Sequence, residues 1–405
     1  MPAAEIGRIV IAGAGQAGGR AAEALRANGY QGAITMIGEE AHPPYERPQL
    51  SKQMLTKSGY QVVYLKPIDQ WSGALDIDIV TGTAVVACNS ERQTVSTSRG
   101  DKVSYDRLLI ATGTQPRRID GIERTSARIQ YLRSIEDALQ LRKSLEAGAR
   151  VVVLGGGVIG LEAAAAAATL NCSVVVVEAG PRLLGRAFPK VISDFVEARH
   201  RAHGVDFVFD TTVVEGTTQG VRFSNGREVA ADVLLVGIGV DPIASVAQSV
   251  GLDARAGIEV DPFGKTAIDN IFSAGDVALQ WSACHGRSLR VETWANAQNQ
   301  AACVAANMIG IQRPYADPAW FWSDQYDLNI QVVGDPVADD VIVRGDMASG
   351  RFSVIALRDG MVAGAVAINS AKDMAMLRRL AGKATSAARA DFESPAFDLR
   401  KALKN

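Results

Sequence analysis

Cysteine and histidine are scarce in this chain of 405 residues, with four of each. The cysteines show neither C-x-x-C nor C-x-x-x-x-C spacing: Cys88, Cys172, Cys284 and Cys303. A redox disulfide between sequence neighbours and a zinc or iron–sulfur site are therefore not predicted, and buried thiols are expected instead. His200 and His203 are three residues apart without a third ligand nearby, which favours a solvated helix end. No metal site is predicted.

The chain also lacks a strong net charge and a long apolar run. A formal net charge of −2 argues against a nucleic-acid-binding protein. No apolar run reaches about 18 residues, so no membrane span is predicted. The first apolar run leads straight into a glycine turn, which does not fit a signal peptide, so a cytoplasmic location is expected. An apolar content of 47% fits a globular protein, and the length predicts two or three domains.

A complete dinucleotide-binding pattern opens the chain. A β-branched apolar run at 8–12 predicts a buried strand, and GAGQAG follows at 13–18. The next residues predict a helix that ends near Asn28. A second apolar run at 33–37 leads to Glu39, about 20 positions past the glycines.

Each part of this pattern has a physical role. Gly13 permits the tight turn, Gly15 lets the backbone approach a pyrophosphate, and Gly18 lets the helix pack close to the strand. The helix N-terminus offers unpaired N–H groups to phosphates. Glu39 can accept hydrogen bonds from ribose hydroxyls.

The same pattern recurs in the middle of the chain. A strand is predicted at 150–154, the turn GGGVIG lies at 155–160, and a helix is predicted at 161–170. A second strand at 173–177 ends in Glu178, about 18 residues past the last glycine. The chain is therefore expected to hold two dinucleotides.

The acidic residue predicts which coenzyme the second site takes. A carboxylate at the strand end favours a free ribose 2′-hydroxyl, and so NAD over NADP. Arg182 and Arg186 lie nearby and could meet a phosphate instead. Glu178 outweighs them because it occupies the strand-end position itself.

A proline-rich loop follows the first unit. Three prolines between 43 and 48 exclude a regular helix or a central strand. The loop then enters a helix near Leu50. Arg47 and Lys52 could reach a cofactor from this loop, and solvated surface charges are the equally weighted alternative.

Further buried strands are predicted at 105–111, at 231–240, where the strand ends in glycine turns, and at 271–277. The last contains Asp276, whose carboxylate could bind ribityl or phosphate hydroxyls. Thr293 is a plausible N-cap for an alanine-rich helix that runs to about 309.

The composition changes after 319. The aromatic cluster at 320–325 indicates either core packing or a wall beside a flavin, and the residues favour neither. Four alternating runs predict an antiparallel sheet: Asn329–Val333, Val341–Arg344, Phe352–Leu357 and Met361–Ile368. A helix is predicted over 371–380.

The order of these motifs is specific. They are R-P-x-L-S-K at 47–52, ATG at 111–113, GGGxIG at 155–160, AGD at 274–276, ETW at 292–294 and FWSDQ at 321–325. In this order the chain resembles the two-dinucleotide flavoprotein reductases, and most of all the ferredoxin reductases of bacterial oxygenase systems. That group includes the reductases of putidaredoxin and of Rieske-type dioxygenases.

The resemblance implies an α/β fold with two Rossmann-like dinucleotide-binding domains, as in glutathione reductase, plus a C-terminal α+β domain with an antiparallel sheet. The implied boundaries are 1–112 with 246–318 for an FAD domain, 113–245 for an NAD domain and 319–405 for the C-terminal domain. The implied activity is the transfer of electrons from NADH through FAD to a 2Fe–2S ferredoxin that docks transiently. A monomer or weak homodimer is expected.

The resemblance also assigns roles by position. The FAD adenosine diphosphate would be held by Gly13, Gly15, Gln16, Ala17, Gly18 and Glu39. The rest of the FAD would be lined by Arg47, Lys52, Val85, Ala111, Thr112, Gly113, Arg133 and Asp276, with Glu292, Trp294 and Trp322 bordering the isoalloxazine. NADH would be held by Gly155, Gly157, Ile159, Gly160, Glu178 and Gly239. Lys52 near the flavin and Glu162 near the nicotinamide are the catalytic candidates.

Three alternatives remain. An NADH oxidase or disulfide reductase of this fold would need a redox cysteine near the flavin, and residues 43–52 contain none. A rubredoxin reductase would differ only in its acceptor. A regulator that uses a flavin to sense NADH would not turn over with ferredoxin.

Overall fold

The computed structural model describes residues 6–122, 125–338 and 340–403. These residues form two compact units. The first comprises the chain up to Arg47, Val62–Gln115 and Asp241–Ala319, and the second comprises Pro48–Gln61, Pro116–Val240 and the chain from Trp320 onward. The predicted C-terminal domain thus shares a unit with the second dinucleotide fold, and the division into three domains remains a prediction.

Strands and helices alternate around the two glycine turns, and most of the remaining chain consists of runs of consecutive strands. The strands are β1 (Arg8–Ala12), β2 (Ala33–Ile37), β3 (Ile77–Val80), β4 (Val85–Asn89), β5 (Thr94–Thr97), β6 (Lys102–Ser104), β7 (Arg107–Ile110), β8 (Thr114–Pro116), β9 (Arg128–Gln130), β10 (Arg150–Leu154), β11 (Ser173–Val177), β12 (Val205–Val208), β13 (Val213–Gly216), β14 (Gly220–Phe223), β15 (Glu228–Ala230), β16 (Val233–Val236), β17 (Val240–Pro242), β18 (Ile258–Glu259), β19 (Ile271–Ser273), β20 (Ala278–Ser282), β21 (Arg287–Arg290), β22 (Trp320–Gln325), β23 (Leu328–Gly334), β24 (Val341–Asp346), β25 (Arg351–Arg358) and β26 (Met361–Ile368). The α-helices are α1 (Gln16–Ala27), α2 (Gln53–Thr56), α3 (Ile68–Ser72), α4 (Ile135–Ser144), α5 (Val158–Thr169), α6 (Lys190–Ala202), α7 (Ser245–Gln248), α8 (Trp294–Met308), α9 (Ala371–Leu380) and α10 (Arg389–Glu393). Short 3₁₀ turns lie at Arg47–Gln49 and Leu399–Ala402.

A parallel sheet with the strand order β19-β7-β1-β2-β3 organises the first unit. Its central strand β1 buries Ile9, Val10 and Ile11 completely, as a β-branched run covered on both faces should. Helices α1 and α8 pack together through small residues such as Ala21 and Ala305. The predicted strands β1 and β2 and both helices are confirmed, and Thr293 caps α8 by accepting from the Asn296 N–H. Two small sheets, β4-β5-β6 and β18-β20-β21, complete this unit.

A second parallel sheet, β12-β11-β10-β16-β9, organises the second unit. Helix α5 begins three residues before its predicted start, directly after the glycine turn. The buried strand predicted within 231–240 is confirmed as β16, and the predicted glycine turn follows it. Gly239 there has φ +113°, a left-handed conformation that ends the strand before β17 begins.

The C-terminal part of the second unit is an antiparallel sheet with the order β22-β23-β26-β25-β24. The four predicted strands and the predicted helix α9 are confirmed. Helix α9 covers the sheet by burying Met374, Leu377 and Leu380 against it. The aromatic cluster forms the edge strand β22, which packs on α5 through its buried residues Ser323 and Gln325.

Within the described ranges, the structure contains no helix that is both long and apolar enough to cross a membrane.

Candidate dinucleotide and redox sites

The first glycine turn joins β1 to α1 and admits no side chain at two positions. Gly13 has φ +116°, and a Cβ there would lie 2.2 Å from the Ala111 carbonyl oxygen. A Cβ on Gly18 would lie 1.9 Å from the carbonyl oxygen of Gly13. Helix α1 therefore begins so close to the sheet that only glycine fits at these two positions. The first N–H groups of a helix have no partner within the helix and can bind an anion.

The turn has room and unmet polar groups for a phosphate-bearing ligand. Among the described residues, a Cβ on Gly15 would have only the Arg47 guanidinium within 4 Å, at 3.8 Å. Gln16 is buried, and neither its Oε1 nor its Nε2 has a hydrogen-bond partner among the residues that the structure describes. Because a buried amide without partners is costly, a bound group with donors and acceptors fits this position. The residues present therefore fit the adenosine diphosphate half of FAD.

Arg47 lies beside the turn and is held there by its neighbours. Its Nη1 donates to the Tyr45 hydroxyl at 2.8 Å, that hydroxyl donates to Glu40 at 2.6 Å, and Arg47 also pairs with Glu40 directly. Burial lowers the Arg47 pKa, but the fields of Tyr45, Glu40 and Asp276 outweigh it and raise the pKa overall. Arg47 is thus a fixed cation near the turn and Asp276, not a solvated surface charge. Glu39 is exposed.

An amide network next to Asp276 was not predicted. The Gly275 N–H donates to Gln300 Oε1 at 2.8 Å, and Gln300 Nε2 donates to Gln280 Oε1 at 2.6 Å. Gln280 Nε2 in turn donates to Asn296 Oδ1 at 2.9 Å. Asn296 and Gln300 lie one turn apart on the buried face of the alanine-rich helix α8. Two amide residues at this spacing in an alanine-rich helix are the feature of the sequence from which the network could have been predicted. The network fixes the strand end that carries Asp276.

The other predicted FAD residues fall in both units. In the first unit, Val85 and Ala111 are buried, Ala17 packs against Gly275, and the Thr112 hydroxyl donates to the Ile243 carbonyl at 2.6 Å. Gly113 follows Thr112 in a left-handed turn, Glu292 pairs with Arg290 at 2.9 Å, and Trp294 begins α8. Three predicted residues belong to the second unit instead: Lys52, Arg133 and Trp322. The Arg133 N–H donates to Asp137 at the start of α4 at 2.9 Å.

The second glycine turn has the same construction as the first. A Cβ on Gly160 would lie 2.2 Å from the Gly155 carbonyl oxygen, whereas a Cβ on Gly157 would meet no atom of the described residues within 4 Å. Ile159, in the first turn of α5, is an exposed apolar side chain at 48% exposure. This open, apolar and phosphate-accepting helix start fits a nicotinamide dinucleotide.

Glu178 bonds to the backbone around this turn. One carboxylate oxygen accepts from the Gly156 N–H at 2.7 Å and the other from the Gly180 N–H at 2.8 Å. Each oxygen keeps a second lone pair that can accept from a ribose hydroxyl. The Arg182 guanidinium donates into its own loop, to the Phe188 carbonyl at 2.9 Å and the Ser193 hydroxyl at 2.6 Å. The arrangement favours a coenzyme without a 2′-phosphate.

The catalytic candidates form a buried ion pair in the second unit. Lys52 Nζ lies 2.9 Å from Glu162 Oε1, and Glu162 is 2% exposed. The Ser323 hydroxyl donates to the same oxygen at 2.7 Å, and the Ser51 hydroxyl donates to Oε2. Lys52 also donates to the Pro48 carbonyl at 3.2 Å. The surface-charge alternative for Lys52 is therefore wrong, and the two serines are site residues that the sequence did not reveal.

The indole of Trp322 lies near this pair. The Lys52 ammonium is 6.0 Å from the Trp322 ring centroid, at the limit of a cation–π contact. Trp322 also stacks on Trp320, with ring centroids 5.6 Å apart.

The cysteines take no part in the sites of the described residues. None of the four forms a disulfide within the described ranges, and burial raises the pKa of Cys88, Cys172 and Cys303, which keeps them protonated. Cys88 and Cys303 are buried as expected, whereas Cys172 and Cys284 are half-buried. The described ranges contain no cluster of acidic, histidine and cysteine side chains able to hold a metal ion.

His200 corrects the expectation of a solvated helix end. It is fully buried, and its Nε2 lies 2.8 Å from Gln325 Oε1 and its Nδ1 3.1 Å from the Tyr326 hydroxyl. His203 is exposed and stacks on Tyr326 at 3.7 Å. Burial is the main cause that lowers the pKa of His200 to about 4.

This lowered pKa predicts a loss of stability in acid. Between about pH 6.5 and pH 4 the unfolded chain binds a proton at His200 that the native chain cannot bind, so unfolding becomes easier as the pH falls. Urea unfolding at pH 7 and pH 5 should show that the wild type loses about 2 kcal/mol more than His200→Gln. The matched variant His203→Gln should lose as much as the wild type. Equal losses in all three proteins would contradict the prediction.

Two parallel sheets, each with a glycine turn opening onto a helix, define a protein that binds two dinucleotides. The family model for pyridine nucleotide-disulphide oxidoreductases matches residues 7–301, and a reductase C-terminal model matches 320–403. The chain belongs to the pyridine nucleotide-disulphide oxidoreductase family. This family uses FAD and NADH, which the two turns fit.

Relatives match over nearly the whole chain. The ferredoxin–NAD(+) reductase component of the p-cumate 2,3-dioxygenase system of Pseudomonas putida is 42% identical over 98% of both chains. The corresponding component of the anthranilate 1,2-dioxygenase system of Burkholderia cepacia is 41% identical over 92% of this chain and 93% of its own. The ferredoxin reductase of the CYP199A2 system of Rhodopseudomonas palustris superposes with a TM-score of 0.92 at 34% identity, over 98% of this chain and 99% of its own. The predicted fold class is thereby confirmed.

Proposed function

We propose that this protein is an NADH-dependent flavoprotein reductase that supplies electrons to a 2Fe–2S ferredoxin of an oxygenase system. The observation that carries the proposal is the presence of two complete dinucleotide turns together with a set of cysteines that offers no redox pair in the described structure. The relatives named as ferredoxin–NAD(+) reductases of dioxygenase systems support the choice of acceptor. Because NADH is a cytoplasmic coenzyme, we place the protein in the cytoplasm.

The division of labour follows from the residues. FAD held by these residues would supply the chemistry that links NADH, a donor of electron pairs, to iron–sulfur partners, which take single electrons. In the first unit, the turn at Gly13–Gly18 and Arg47 would hold the FAD diphosphate. In the second unit, the turn at Gly155–Gly160 and Glu178 would hold NADH.

The buried pair Lys52–Glu162 keeps one fixed positive and one fixed negative charge in the second unit. Two serine hydroxyls and the ammonium donate to the carboxylate, so it stays in one orientation. A fixed dipole of this kind orients a ligand without reorganisation during turnover. The chain's own residues therefore bind and orient the coenzymes and balance their charge. The electrons themselves would be carried by the coenzymes and not by a side chain.

The buried, protonated cysteines disfavour a disulfide reductase, since attack on a disulfide requires a thiolate. Residues 43–52, which lead to Lys52, contain no cysteine. An NADH oxidase and an NADH sensor are the outcomes that the following experiment separates.

Electrostatic steering gives the experiment its salt dependence. Arg287 and Arg313 in the first unit and Arg117 and Arg118 in the second are exposed. If the ferredoxin is acidic, as the resemblance implies, its association should slow as salt screens these charges. Transient redox contacts are small, so steering contributes much of the rate.

Stopped-flow mixing of NADH-reduced holoenzyme with a 2Fe–2S ferredoxin should show rapid ferredoxin reduction. The bimolecular rate should fall roughly tenfold or more between about 0.01 and about 0.5 M salt, as the Debye length shrinks severalfold. An uncharged quinone acceptor is the control, and its rate should not fall. If the rate of ferredoxin reduction did not depend on salt, electrostatic steering would be contradicted and the reductase activity would stand. Failure to reduce any 2Fe–2S ferredoxin, with rapid oxygen reduction, would assign an oxidase, and failure of all turnover would favour a sensor.

A further inference from the structure

A line of buried polar side chains leads away from Glu162 within the second unit. Ser323 Oγ lies 2.7 Å from Glu162 Oε1, and Gln325 Nε2 lies 3.0 Å from Ser323 Oγ. Gln325 Oε1 lies 2.8 Å from His200 Nε2, and His200 Nδ1 lies 3.1 Å from the Tyr326 hydroxyl. The line thus connects α5, the edge strand β22, helix α6 and the β22–β23 turn.

Nearly all of this line is out of contact with water. Glu162 and Gln325 are each 2% exposed, Ser323 is 1% exposed and His200 is fully buried. Only Tyr326, at the hairpin turn, reaches partial exposure. Every link therefore has to be a well-matched donor and acceptor, because a buried polar group left without a partner costs about 1–3 kcal/mol.

The ionised end of the line fixes the direction of every hydrogen bond. Glu162 is paired with Lys52 and is an acceptor only, so the Ser323 hydroxyl must donate its one proton to it. Ser323 Oγ must then accept from the amide of Gln325, which turns Oε1 of Gln325 toward His200. His200 must carry its proton on Nε2 to donate to that oxygen.

The far end of the line then has only one arrangement. With its proton on Nε2, His200 presents Nδ1 as an acceptor, and the Tyr326 hydroxyl donates to it. The lowered pKa of His200 and the burial-raised pKa of Tyr326 fit a neutral imidazole and a protonated phenol. All four donors point toward Glu162, and aligned hydrogen bonds polarise one another.

We propose that Ser323, Gln325 and His200 are positioning residues that hold the Glu162 carboxylate in place opposite Lys52 through a one-directional hydrogen-bond chain. The direction of the chain depends only on contacts within the second unit. Its consequence for turnover with NADH rests on the proposed function.

The first test reads the proton on His200 directly in the unmodified protein. Holoenzyme labelled with ¹⁵N-histidine has only four histidines, and single His→Gln variants assign their signals. At pH 7 the His200 signal should be that of a neutral imidazole protonated on Nε2. A proton on Nδ1, or on both nitrogens, would overturn the chain. Because this readout does not use NADH, it stands whether or not the proposed function holds.

The second test breaks the chain at its centre. Gln325→Met removes both the acceptor of His200 and the donor to Ser323, so the His200 proton should move to Nδ1, where the Tyr326 oxygen can accept it. The matched control is Gln331→Met, a half-buried glutamine on β23 that bonds to Asn329 instead. The control should keep the Nε2–H form, and a shift in both variants, or in neither, would overturn the proposal.

The third test asks whether the chain acts on turnover. Ser323→Ala should lower kcat for NADH-driven reduction of an uncharged acceptor roughly tenfold, with bound FAD and KM for NADH changed much less. Ser323→Thr, which keeps the hydroxyl, should restore most of the rate. An unchanged rate in Ser323→Ala, with an active wild type, would overturn the positioning role. If the wild type itself does not turn over, the proposed function fails, and the tautomer measurements still decide the direction of the chain.

Discussion

Replacing Gly18 by alanine should release FAD from the protein, whereas Gly160→Ala should keep FAD and lose reduction by NADH. In each variant the new Cβ would lie about 2 Å from a carbonyl oxygen of its own glycine turn, at 1.9 Å and 2.2 Å respectively. Neither oxygen belongs to a flexible side chain, so the turn and the helix start have to move apart. Overpacking of this kind costs about 1–3 kcal/mol and displaces the N–H groups that meet the phosphates.

The expected loss of affinity is at least about 100-fold at the affected site, equivalent to about 2.7 kcal/mol. FAD content is measured from the visible spectrum of the purified protein, and NADH binding from rapid flavin reduction. Gly185→Ala is the control, because a Cβ there would make only ordinary contacts, at 3.7 Å or more, in an exposed loop. If Gly18→Ala kept its FAD, the assignment of FAD to the first turn would be contradicted. If NADH reduced Gly160→Ala at the normal rate, the assignment of NADH to the second turn would be contradicted.

The unmodified protein should prefer NADH to NADPH by at least about 100-fold in kcat/KM. The 2′-phosphate of NADPH would approach Glu178, a carboxylate fixed by the N–H groups of Gly156 and Gly180. The phosphate and the carboxylate carry like charges and repel each other, and the nearby Arg182 guanidinium is already bound to the Phe188 carbonyl and the Ser193 hydroxyl. A factor of 100 corresponds to about 2.7 kcal/mol of transition-state binding.

Glu178→Arg should narrow or reverse this preference, chiefly by raising kcat/KM for NADPH, while Glu178→Gln should fall between the two. Steady-state kinetics with both coenzymes and an uncharged acceptor measure the change. The control variant is Glu146→Arg, which makes the same change of charge at an exposed position of the same unit. Equal use of both coenzymes by the unmodified protein would contradict the prediction. An equally large change of coenzyme preference in Glu146→Arg and Glu178→Arg would contradict it as well.

Features that depend on neighbours in the sequence could be predicted from it. The strands β1, β2, β10 and β11 follow from short β-branched runs, and the turns follow from glycines at fixed spacing. Helix α9 and the antiparallel strands β23 to β26 follow from the period of their apolar residues. The strand predicted within 231–240 ends in the predicted glycine turn, where Gly239 has a positive φ.

The candidate site could be predicted only in part. The glycines and Glu178 were predicted because a βαβ unit places them by local geometry. The proline-rich loop left Lys52 between a cofactor contact and a surface charge, and Glu162 was predicted only through the resemblance. Their pairing at 2.9 Å joins residues 110 positions apart, and no local rule connects such positions.

The sequence by itself determined the two dinucleotide turns and the parallel strands behind them. It also determined that no two cysteines have the spacing of a redox pair. These are properties of segments of about 30 residues, in which chain connectivity fixes which groups meet. Only the tertiary structure decided that Lys52 is buried, that burial lowers the pKa of His200 and that Ser323 and Gln325 line up behind Glu162. The physical reason is that burial and hydrogen-bond partners come from packing between distant segments: α5, α6 and β22 meet in the fold although 161 residues separate Glu162 from Ser323.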